Sequence, residues 1–138
     1  MIFRKKINTK IDEDLTKITA LLIHAAKIDE NYSKKEEAII KEALLKIGAN
    51  KENLEKIIQD ATTMEKNANQ ILDFTKRVKK MKHENKIKII ETLWRIIYSN
   101  KEADIYETNL MRRLAGLLYI DNKVMGNIKE KIKKENSL

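Results

Sequence analysis

No proline interrupts this chain of 138 residues, and only three glycines do. Those two residues are the usual punctuation of strands and tight turns. A sequence so bare of them has few places to reverse a β-ribbon, and no stretch sustains the period-2 alternation of a half-buried strand. Helical spacing takes its place. Ile11, Leu15, Ile18, Leu22 and Ala25 lie on one helical face. Ile40, Ala43, Leu44 and Ile47 form a second stripe, with Gly48 placed as its C-terminal stop. Further stripes are Leu54–Ala61, Ala68–Val78, Ile87–Ile97, Leu110–Leu118 and Val124–Ile132. The spacing predicts an all-α fold of about seven amphipathic helices joined by short loops.

The length suits one domain, 1–138, large enough to stabilise itself by burial. With no cysteine, disulfides, thiolate nucleophiles and zinc–thiolate sites are excluded. The longest apolar run, Ala20 to Ala26, contains His24 and falls well below the ~18 residues of a membrane span. The N-terminal residues Met1–Lys6 lack the apolar region of a signal peptide, so the expected location is the cytoplasm.

A shift of 71 positions superposes two halves of the sequence without a gap. Leu22 then falls on Leu93, Ile40 on Met111, Ile47 on Leu118 and Ile57 on Ile128. Expected helix caps coincide as well: Ser33 with Asp104, Asn50 with Asp121, and Glu36 with Glu107. Both Ser33-Lys34-Lys35-Glu36 and Asp104-Ile105-Tyr106-Glu107 fit a capping box, in which cap and glutamate each satisfy the other's orphan backbone donor. The pattern reads as a duplicated helix–loop–helix unit with a pseudo-twofold. The first copy covers about 12–60, a connecting helix about 66–82, and the second copy about 84–134.

The first loop, Ala26 to Glu36, offers oxygen donors at Asp29, Asn31 and Ser33, spaced like the opening of an EF-hand. It is not an EF-hand: Lys34 stands where the turn needs glycine, and Ile40 where the bidentate glutamate belongs. A smaller cluster of Asp29, Asn31 and Glu36 would suit a weakly held hard cation, Ca²⁺ or Mg²⁺. In the second loop Asn100 takes the place of Asp29, and Glu107 that of Glu36. Exchanging carboxylate for carboxamide removes one charge and weakens such a site. Ser33 and Glu36 acting only as a helix cap account for the first motif without any metal.

These paired loops resemble those of the tellurite-resistance TerB family. Its members read A-x-A-D-G before a short loop and a helix-opening glutamate, twice. The matching residues are Ala26 and Asp29 with Glu36, then Ser99 and Asn100 with Glu107. Phe74-Thr75, Leu93-Trp94-Arg95 and Arg112 to Leu118 are similar to other stretches of the family, and the likeness spans 12–130. Glu30 and Lys101 replace the family's glycine. The resemblance implies a seven-helix duplicated domain and a non-enzymatic binding or adaptor role linked to tellurite or stress resistance. It also implies a protein partner, a tie to membrane-associated assemblies, and metal binding through the acidic loops.

The remaining residues carry little chemistry. His24 has no second ligand at metal spacing and reads as a half-buried structural histidine, while Trp94 and Phe74 fall at core positions. No activated nucleophile, phosphate loop or HExxH motif is present, which favours a non-enzyme. The net charge is +8, yet residues 11–75 sum to −4 and 91–122 to −1. The excess sits in 1–10 (+4), 76–90 (+6) and 123–138 (+3). The segments Arg4–Lys10 and Lys76–Lys88 motivate an alternative, a basic module docking on an anionic membrane or nucleic acid. Without aromatic interleaving, nucleic acid is the weaker partner, and cations closing a helix are the simpler reading.

Overall fold

A computed structural model describes the backbone of residues 2–27, 33–67, 72–99 and 105–137, and side chains within 13–27, 33–67, 73–99 and 108–135. These residues form seven helices and no strand: α1 (Ile2–Ala26), α2 (Lys34–Ile47), α3 (Lys51–Asn67), α4 (Leu72–Lys79), α5 (His83–Tyr98), α6 (Ile105–Leu117) and α7 (Asn122–Ser137). The all-α expectation holds. The first helix begins well before Ile11, because Arg4–Lys10 continues its turns without any breaker.

Two helices carry the interior. α1 packs against α2, α3, α4 and α5, its contact with α3 being the most extensive in the fold, and α5 packs against α1, α2 and α7. α1 departs from the amphipathic expectation in its second half, whereas α5 keeps one polar stripe of Glu84, Lys88, Glu91 and Arg95. From Leu15 to Ala26 α1 is buried on nearly every side, His24 and Lys17 excepted, and α5 is buried at Ile89, Ile90, Leu93, Trp94, Ile96 and Ile97. A helix apolar all round must be wrapped by others. Threonine makes this workable: the Thr19 hydroxyl donates to the Leu15 carbonyl at 2.6 Å, and Thr92 to Lys88 at 2.8 Å. Each hydroxyl is thereby satisfied within its own helix.

The turns closing α2 and α6 share a geometry. Gly48 (φ 122°) and Tyr119 (φ 56°) are the positive-φ residues among those described, and they stand 71 positions apart. The Ala49 amide donates to the Leu44 carbonyl and the Ile120 amide to the Ala115 carbonyl, both at 2.9 Å and again 71 apart. Such closures satisfy the last helical carbonyls through a left-handed residue. At Gly48 a Cβ would meet no atom within 4 Å, so any cost of a side chain lies in the backbone. Gly48→Ala is therefore expected to destabilise by about 1–2 kcal/mol. The urea midpoint measures it, and an unshifted midpoint would contradict the turn geometry.

Candidate functional site

The best-defined part of the predicted site is the start of α2. Ser33 is its N-cap in extended conformation, and its hydroxyl accepts from the Glu36 amide at 3.2 Å. Glu36 Oε1 accepts in return from the Ser33 amide at 2.9 Å and from the Ser33 hydroxyl at 3.0 Å. Glu36 is only 1% exposed. A buried carboxylate is tolerated because these donors replace the water it has lost. The capping box expected at Ser33–Glu36 is thus formed.

Asp29, Asn31 and Asn100 lie outside the described residues, and Glu107 is the third residue of α6, its side chain outside them too. Among the described residues no group of three His, Asp or Glu side chains is placed to hold a metal. Described residues flanking the two loops are in contact. Lys35 Nζ donates to the carbonyl of Ser99 at 3.2 Å, tying the first turn of α2 to the residue before Asn100. Beside the first loop, His24 Nδ1 lies 3.3 Å from Glu65 Oε1, and Lys27 Nζ 2.8 Å from Glu65 Oε2. His24 is half-buried and paired, as a structural histidine should be.

The basic block has several uses. Arg77 grips Asp14 with two donors, Nε to Oδ1 and a terminal nitrogen to Oδ2 at 2.8 Å, fastening α4 to α1. Lys79 Nζ sits 4.3 Å from the centre of the Tyr119 ring, and Lys86 Nζ donates to the Leu118 carbonyl at 3.2 Å. Both cations therefore stand at the C-terminal end of α6, where the helix dipole is negative. Lys17, Lys76 and Lys80, with Arg77, line a groove among α1, α3 and α4. The sequence carries no signal for that meeting, since Lys17 lies some sixty positions before the others and sits on a mostly buried helix.

Two tyrosines are shifted in opposite directions. The hydrogen bond and charge of Lys79 hold the exposed Tyr119 phenol below the ordinary tyrosine value. Burial, then the charge of Glu130, pushes Tyr98 above it. In an ultraviolet titration Tyr119 should ionise before Tyr98. With the other two tyrosines, Tyr32 and Tyr106, replaced by Phe, Lys79→Met should raise the first transition and leave the second in place; a first transition indifferent to that substitution would refute the contact.

No trans-membrane span is available to the described helices, none being long and apolar enough to cross a bilayer. Neither a curated protein nor a solved structure matched the chain. A family model did, that of the tellurite resistance protein TerB, over residues 15–130, which takes in both loops and all but the start of α1 and the end of α7. On that match the chain belongs to the TerB family.

Proposed function

We propose that this protein is a non-enzymatic binding or adaptor domain whose working surface is the end of the fold where the flanks of the two loops meet. The observation that carries this reading is the Lys35–Ser99 contact, which brings the approaches to both loops together. The likeness of the two halves of the sequence at a 71-position offset supports it, as do the turns at Gly48 and Tyr119, which share that offset. The family's description, tellurite resistance protein, supports a role in that resistance, and a protein partner is part of this proposal.

Within this reading the loops bind a divalent cation weakly. Glu36 is the described member of the donor set, with Asp29, Asn31, Asn100 and Glu107 supplying the other oxygens. The chemistry fits Ca²⁺ or Mg²⁺ better than zinc, since every donor is a hard oxygen. Because Glu36 Oε1 already holds the cap, the loop carboxylate Asp29 must carry most of the charge. Calorimetric titration with Ca²⁺, Mg²⁺, Mn²⁺ and Zn²⁺ tests it. Binding tighter than ~1 mM that disappears in Asp29→Ala is expected. Heat identical in both proteins would end the metal reading while leaving the adaptor reading intact.

A further inference from the structure

The groove among α1, α3 and α4 has a volume of about 560 Å³. That is within the range of small-molecule sites, ~300–1,000 Å³. Four cations reach it: Lys17 from α1, and Lys76, Arg77 and Lys80 from the end of α4. Asp73 is the sole acid among the described residues of its lining. Arg77 is neutralised and fixed by Asp14, but Lys17, Lys76 and Lys80 have no carboxylate within 4.0 Å among the described residues. Lys76 and Lys80 are one turn apart, a spacing at which like charges repel. The acids that α1 brings near, Asp14 and Glu13, act on Arg77, and α1 adds Lys17 to the lining. Phe74, itself buried, Met64 and Asn67 complete the described lining.

We propose that this groove binds a phosphate-bearing small molecule of nucleotide size. The three lysines supply point charges for the phosphates, the form in which lysine meets that group. Arg77, held in place by Asp14, adds a fixed cation to the wall. Asn67 and Asp73 can hydrogen-bond a sugar or amino group, and Phe74 with Met64 offers an apolar surface. None of the loop-end residues takes part, so the site stands apart from the reading above and survives its failure.

The full-length chain is titrated calorimetrically with pyrophosphate and with ADP in ~50 mM salt, where surface charge is weakly screened. Expected is a Kd below ~1 mM for at least one probe, weakened about ten-fold or more in K76E/K80E. K134E, with an exposed lysine of α7 reversed, should change it less than about two-fold. Thermal melts confirm folding of each variant. Lys17→Gln, which should weaken binding about three-fold, keeps the test alive if the double variant does not fold. Phosphatidylglycerol vesicles separate the two sources of phosphate. Vesicle binding displaced by pyrophosphate and lost in K76E/K80E means that the groove takes a lipid headgroup. No binding of either soluble probe, equal losses in K76E/K80E and K134E, or vesicle binding that pyrophosphate does not displace each overturns the proposal.

Discussion

Leu93→Ala is expected to lower the unfolding free energy by about 3–4 kcal/mol, the largest loss of any substitution considered. Leu93 is fully buried in α5, the helix that touches α1, α2 and α7. Removing its isobutyl group forfeits the transfer energy of the missing carbons. It also leaves a void that three neighbouring helices cannot all close at once. For a domain of this size the melting temperature should fall by roughly 10 °C. Leu45, 38% exposed on α2, is the matched control, and its alanine variant should stay within about 0.5 kcal/mol of the parent. Equal shifts for the two would mean that α5 is not the centre of the fold.

Glu36→Ala should cost about 2–3 kcal/mol, more than an ordinary cap. The alanine leaves the half-buried Ser33 amide and hydroxyl without their acceptor. Glu36→Gln keeps an acceptor at the same place and should cost less than about 1 kcal/mol, since glutamine also closes a capping box. Charge is what separates the two possible duties of this residue. If it also serves a cation, Glu36→Gln should weaken Ca²⁺ or Mg²⁺ binding while the melting curve barely moves. A Gln variant as unstable as the Ala variant would show that the carboxylate charge itself holds the fold.

Most of the helices were legible because their apolar stripes keep the 3.6-residue period over several turns, and Ser33, Glu36 and Gly48 mark the ends of α2 by their chemistry. The end of α6 was not marked in the same way. Tyr119 adopts a positive φ although nothing in its side chain asks for one, and only its offset of 71 from Gly48 hints at the turn. The breadth of the buried face of α5 was hidden too. Thr92 and Tyr98 read as polar positions, yet Thr92 satisfies itself on the Lys88 carbonyl and Tyr98 stacks on Trp94 at 5.8 Å. Long-range pairs escape any local pattern: Asp14 and Arg77 lie 63 positions apart, and only the folded chain brings them into contact.

The candidate site divides along the same line. Glu36 could be read locally, since its first role is fulfilled within a single helical turn. The contact between the flanks of the two loops depends on how α2 lies against α5, and the lysine groove on how α4 lies against α1. Neither arrangement has a sequence signature, because each is the outcome of packing a whole set of helices.

The brevity of α4 has a dynamic consequence. It spans eight residues and, among described side chains, buries Phe74, Thr75 and Val78 against a far larger interior. Among the described side chains, detaching it forfeits two buried apolar groups and one half-buried ion pair, whereas separating α1 from α5 forfeits the interior itself. Amides of α4 therefore have a cheap, local route to exchange with solvent that amides of α5 lack. One wall of the lysine groove is built from this short helix, so whatever occupies the groove also bears on its local opening.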